Sequence, residues 1–164
     1  MDVIIDGYNV LGADQGLHGS LEQKRESLVR QLSRYQKAKG FAITLVFDGW
    51  KSGRLNEVNE KVNGVNVIYS RQGEKADDVV VRVARQKGSG CAVVSSDREV
   101  RNSVEKFGAA AIYAGEFNKI LHQLENPGNS SGEFETDDSD SPDFRRASKT
   151  ERRRRERLRK LKLR

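Results

Sequence analysis

Five short apolar runs, at residues 3–5, 41–47, 65–69, 91–95 and 109–113, are spaced along the chain with polar or amphipathic stretches between them. The runs lack strict alternation, which predicts strands covered on both faces, as in a parallel sheet. Between them the apolar positions recur at helical spacing. Leu21, Leu28, Leu32 and Tyr35, widened by Val29, predict a helix from an N-cap at Ser20 to about Lys39, stopped by Gly40. Val79, Val80, Val83 and Ala84 follow Asp77-Asp78 in a second helix, Val100, Val104 and Phe107 mark a third, and Phe117, Ile120, Leu121 and Leu124 a fourth. In the third, Ser96-Asp97-Arg98-Glu99 fits a capping box with Ser96 as N-cap.

Two stretches break the alternation. Residues 11–20 are rich in glycine and predict a loop, and residues 50–64 are polar, with turns at Gly53 and Asn63-Gly64 and a short helix near residues 55–62. Strands alternating with helices over short connections predict a three-layer, Rossmann-like α/β domain with a mostly parallel sheet of about five strands.

Charge divides the chain further. The 164 residues carry a formal net charge of +6, but residues 145–164 hold twelve Lys and Arg against two Glu, while residues 133–143 hold six acids and no base. This predicts a domain over residues 1–125, a flexible acidic linker over 126–144 and a disordered basic tail over 145–164. A tail of this charge suits an RNA or ribosome tether, separable from the domain; Leu158 and Leu161 on one helical face are the feature a membrane-surface role would need. The single cysteine, Cys91, permits no internal disulfide and reads as core, and no apolar run approaches the ~18 residues of a spanning helix. The expectation is a soluble cytoplasmic protein with no membrane partner.

The candidate chemistry lies in four acids. Asp6, Asp48 and Asp97 stand at or just after strand ends, and Asp77 opens a helix that follows a strand, so an α/β sheet would bring all four to its carboxyl edge, where ligands sit. Each alone has a plain explanation as a turn or first-turn residue. Together they need compensation, because two carboxylates ~4 Å apart repel by about 1 kcal/mol in water and about 4 kcal/mol at an effective dielectric of 20. Oxygen donors with one Cys and two His, His18 and His122, in the whole chain favour a hard cation, Mg²⁺ or Mn²⁺, over zinc. Such an ion activates water and offsets charge on a phosphodiester. Tyr8 and Trp50, beside two of the acids, are each either base-stacking aromatics or loop packing.

The motifs Asp6-Gly7-Tyr8-Asn9, Phe47-Asp48-Gly49, Gly73-Glu74-Lys75-Ala76-Asp77-Asp78 and Val94-Ser95-Ser96-Asp97-Arg98, in that order, resemble the NYN domain of the PIN-like nuclease superfamily, in particular its bacterial YacP-like branch. The resemblance covers about residues 1–125. It implies a metal-dependent ribonuclease on a PIN-like scaffold, with Asp6, Asp77 and Asp97 as metal-binding acids and Asn9 as the asparagine of the opening motif. Asp48 and Glu74 match further motif acids, and Ser95, Ser96 and Arg98 match a motif suited to contacting phosphate. It further implies messenger RNA as substrate and, in at least one lineage, the ribosome as partner. The alternative is an NYN-like module that binds RNA without cutting it, against which the anionic crevice counts. An aspartyl-phosphate enzyme is a poorer reading, because Tyr8 stands where a second acid would be required.

Overall fold

The computed structural model describes residues 1–14, 19–49, 55–128 and 148–163. The first half runs β1 (Asp2–Asp6), α1 (Gly7–Asp14), α2 (Leu21–Lys39), β2 (Ala42–Phe47), β3 (Val58–Val62) and β4 (Val65–Tyr69). The second runs α3 (Ala76–Lys87), β5 (Cys91–Val94), α4 (Arg98–Lys106), β6 (Ala110–Ile112), α5 (Ala114–Glu125) and α6 (Lys149–Leu161). The sheet has the order β3-β4-β2-β1-β5-β6, parallel throughout except for the antiparallel β3–β4 pair.

The pleat explains the unbroken apolar runs. In β1, Val3 and Ile5 face one core, with α1, α2, α5 and α6, while Ile4 faces another, with α3 and α4. In β2, Leu45 and Phe47 go to the first core and Val46 to the second. Both faces of these strands are therefore covered along most of their length, and the period of two disappears from the sequence.

Three expectations are corrected. Residues 11–14, predicted as loop, continue α1, because Val10 and Leu11 are buried and Asn118 Nδ2 of α5 donates to the Val10 carbonyl at 3.0 Å. The stretch predicted to hold a short helix near residues 55–62 contains β3, which makes the sheet six-stranded. Asn63 (φ 51°) and Gly64 (φ 88°) close the β3–β4 hairpin in the left-handed region that tight hairpins need. As an edge strand with three of its five residues exposed, β3 carries little apolar signal.

The third correction concerns the basic tail, which holds a helix folded onto the domain instead of a disordered tether. Ser148 caps α6 by accepting the Glu151 amide at 3.2 Å, and Leu161 is fully buried in the first core. The Tyr35 hydroxyl donates to the Leu161 carbonyl (2.7 Å), Lys39 Nζ to that of Lys162 (2.9 Å), and Arg157 to that of Ser89 (3.0 Å). The helix packs on β6, so it covers the edge strand that would otherwise present open hydrogen-bonding groups. No helix among the described residues is long and apolar enough to cross a membrane.

Candidate active site

From β1 the chain builds outward through β2 to β4 and β3 on one side, then returns to lay β5 and β6 on the other. The reversal lies between β1 and β5, and the crevice beyond their carboxyl ends is the switch point where α/β folds bind ligands. Asp6 ends β1, Asp97 follows β5, and Asp77 lies in the first turn of α3, which packs across β1.

Each of these acids also stands at a helix N-terminus, whose dipole favours negative charge. Asp6 Oδ1 accepts the Asn9 amide at the start of α1, though at a long 3.4 Å. Asp97 is the N-cap of α4, its Oδ1 accepting the amides of Glu99 (2.8 Å) and Val100 (3.1 Å). The cap is therefore Asp97, one residue beyond the predicted Ser96, and it uses one of the two carboxylate oxygens.

The helix ends do not fully offset the crowding. Asp6 is only 5% exposed, and burial first, then the charge of Asp77 and a hydrogen bond with it, push its pKa up to about 7; Asp97 adds to the rise, and the Asn9 amide opposes it. Asp77 is raised as well, mainly by burial, with the charges of Asp97 and Asp78 adding to it. The two acids therefore titrate as a pair, each held above the ordinary carboxylate range by burial and by its neighbours. Among the described residues, however, no three Asp, Glu, His or Cys side chains close into a ready metal-binding cluster. Asp6 and Asp77 thus act on each other most strongly, with Asp97 near enough to be felt electrostatically by both.

The remaining candidates fall into different places. Asn9 Oδ1 accepts the Ser96 amide at 2.8 Å, which ties α1 to the loop after β5. The Ser96 hydroxyl accepts the Ala114 amide at 3.1 Å, linking that loop to α5. Ser95 is fully buried with its hydroxyl on the Asp97 amide (3.2 Å), so it holds the loop and is out of reach of a phosphate. Arg98 is exposed at the start of α4. Asp48 follows β2, beside the end of β1, and is not among the leading charges acting on Asp6 or Asp77.

Glu74 is clamped by Arg71 (3.4 Å) and Arg82 (3.5 Å), and Arg82 also pairs with Glu57. This network braces the loop that leads into Asp77. Tyr8 is core: its ring lies 5.1 Å from that of Phe47 and its hydroxyl accepts from Arg25 at 2.9 Å. Cys91 is fully buried, as expected, and His122 pairs with Asp14 on the surface at 2.7 Å. Trp50 and His18 lie outside the described residues.

Two glycines permit the close packing around the acids. A Cβ on Gly7 would meet the Phe47 ring at 2.3 Å, and one on Gly49 would lie 1.6 Å from the Ser70 carbonyl oxygen. The Gly49 amide donates to the buried Ser70 hydroxyl (3.0 Å), and the Ser70 amide to the Phe47 carbonyl (3.0 Å), so the two backbones cannot part without losing these bonds. Gly49→Ala is expected to destabilise the fold by at least ~3 kcal/mol, read as a lowered midpoint in urea melts.

No local pattern marks Ser70, nor a stack in which Arg101 lies 3.7 Å and Arg154 5.3 Å from the Tyr113 ring centroid. Arg154 joins that stack from a helix distant in the chain.

The pattern of the YacP-like NYN domain matches residues 3–162, a span that includes the basic helix. An uncharacterized protein of Bacillus subtilis, YacP, is 31% identical over 90 residues, covering 52% of each chain, so the match spans about half the length of that relative. Among solved structures, Rae1 (YacP) from Bacillus subtilis superposes with a TM-score of 0.65 at 25% identity, over 77% of this chain and 76% of that one. A mutant of the same protein gives 0.64 at 23% identity, over 77% of each chain.

Proposed function

The chain belongs to the YacP-like NYN family, and from that premise we propose that it is a divalent-metal-dependent endoribonuclease working at the Asp6–Asp77 crevice. The observation that supports this most is the buried carboxyl pair itself. Two acids brought together at a switch point with a third nearby, their charge only partly offset by Lys75 beside Asp77, are arranged at a cost that a bound cation would remove.

The donor chemistry fits Mg²⁺ or Mn²⁺. Such ions commonly take one or two carboxylates and keep several waters, which agrees with two acids in hydrogen-bonding reach and no larger cluster. When bound, the ion supplies an acidified water and offsets charge on the phosphodiester. The residues do the rest. Asp6 and Asp77 lose their protons and hold the ion, and Asp97 adds the carboxylate oxygen that its cap leaves over. Asn9 and Ser95 keep the Asp97 loop in place and act as positioning residues, as does Ser96 through its amide. Arg98 is the group available to a phosphate oxygen. Asp48 is proposed for the rim of the crevice. The substrate class is RNA, with messenger RNA, free or on the ribosome, as the specific proposal and the cytoplasm as its setting.

The reading as a binding module without catalysis is weaker, because a buried anionic pair repels a polyanion and contributes nothing to holding it. The test is cleavage of a labelled RNA with Mg²⁺ or Mn²⁺ against EDTA, beside hydrolysis of p-nitrophenyl phosphate. Cleavage only with a divalent ion, and no phosphomonoesterase activity, is the expected result; RNA left intact with either ion would overturn the proposal.

A further inference from the structure

The docked helix changes what the basic segment can do. Its leucines are spent on the protein: Leu161 is fully buried and Leu158 packs against the same core. No apolar face remains for a membrane surface, and what is left outward is charge. Lys149, Arg152, Arg155 and Arg159 are exposed at spacings of three and four that share one side of a helix, with exposed Lys160 beside the last. Arg155 is paired with Glu151 and Lys160 with Glu156. The side chains of Lys149, Arg152 and Arg159 make no salt bridge or hydrogen bond among the described residues, and their stripe is ~15 Å long at the rise of an α-helix.

The contacts of α6 fix where this stripe runs. Arg154 pairs with Glu116 and faces Tyr113, both just beyond the carboxyl end of β6, on the crevice edge of the sheet. Three residues on, Arg157 reaches Ser89 and the sulfur of Met1, at the opposite edge. The N-terminal end of α6 is therefore the end nearer the acids. Between the two, Arg101 of α4 lies on the Tyr113 ring, and Asp97 caps that same helix. Arg98 and Arg101 on α4, and Lys149, Arg152 and Arg159 on the outer side of α6, thus stand on two helices that meet at Tyr113.

We propose that this outer face of α6 is a fixed track for the RNA sugar-phosphate backbone, which lies along Lys149, Arg152 and Arg159 after passing Arg98 and Arg101 from the crevice. The proposal rests on the reading of the crevice as a ribonuclease site and adds to it where the strand outside the crevice is held. It replaces a loose tether by cations in register with the acids, and it selects substrates long enough to span both.

The test is the full-length triple variant Lys149→Gln, Arg152→Gln, Arg159→Gln, with an unchanged melting temperature as the check that α6 stays docked. Binding of a ~30-nucleotide single-stranded RNA is measured in EDTA by fluorescence anisotropy over a range of salt, so that no catalysis is needed for the readout. Three lost phosphate contacts at ~0.7 each should flatten the slope of log K against log salt by about 2, with affinity lower on the order of tens-fold at physiological salt. In the presence of Mg²⁺, a short oligonucleotide that reaches only the crevice should be cut as fast by the variant as by wild type. Unchanged affinity and slope in the variant, or binding of wild type to anionic lipid vesicles but not to RNA, would overturn the track. Failure of wild type to cut either RNA with any divalent ion would instead count against the ribonuclease reading, whatever the binding curves show.

Discussion

Asp6→Asn is expected to abolish RNA cleavage, by roughly 10³-fold or more, and at the same time to raise the melting temperature above neutral pH. The loss follows from removing one of the proposed metal donors. The gain follows from the pKa of about 7, against 3.8 for an unperturbed Asp, that burial and Asp77 impose on the native state. Between these values the native state holds a proton that the unfolded state has released, so wild-type stability falls as pH rises through that window. Below about pH 4 both states are protonated and nothing is lost; above about pH 7 the whole penalty is present. A difference of about 3 pK units corresponds to about 4 kcal/mol, or ~8–16 °C for a chain of this size.

Asparagine carries no charge and keeps an acceptor for the Asn9 amide, so the variant should escape the penalty. The advantage should be full at pH 8, shrink through pH 6 and vanish near pH 4, measured by calorimetry in EDTA. Adding Mg²⁺ at pH 8 should raise the wild-type melting temperature, by the equivalent of ~2.7 kcal/mol at a hundredfold excess over its Kd, and leave Asp6→Asn unmoved. A variant that cuts RNA, or that melts below wild type at pH 8, would remove Asp6 from the centre of the site.

Ending the chain at Glu125 is expected to do more than detach a binding segment: it should destabilise the domain. The truncation uncovers the core around Tyr35 and Phe117 and opens the edge of β6, and it deletes the buried bond from the Tyr35 hydroxyl to Leu161. Burying Leu161 alone is worth ~2–3 kcal/mol and the hydrogen bond ~1 kcal/mol, against a typical total of ~5–15 kcal/mol for a whole domain. The full-length Leu161→Ala variant isolates the packing part and should lose ~2–4 kcal/mol. Thermal melts and hydrogen exchange decide the matter. A truncated chain that melts with the full one would mean that α6 adds nothing to the fold.

The strands and most of the helices were legible because their signals are local. The runs around Ile4, Val46, Val67 and Val93 are mostly apolar because the sheet is covered twice, and Ser20 and Gly40 bound α2 as cap and stop. The motif acids were visible for the same reason, since strand ends and helix starts in an α/β chain converge on one edge. The pattern could not show that Asp6 is buried against Asp77, because that depends on β1 lying between β2 and β5 and on α3 crossing β1.

The docking of the basic segment is hidden for a related reason. Twelve cations in twenty residues predict solvation when taken alone, and the apolar content that docks the helix is a few leucines that join a core with Tyr35 and Phe117, on helices distant in the chain. The same holds for β3, whose place is set by pairing with β4 instead of by burial. The sequence by itself determined most of the elements and the layered class and marked the candidate acids, since each is encoded over a few residues. Which acids share one environment, and that the cationic end of the chain is part of the folded domain, were decided only by contacts between residues distant in the sequence, whose energies appear once the chain has closed on itself.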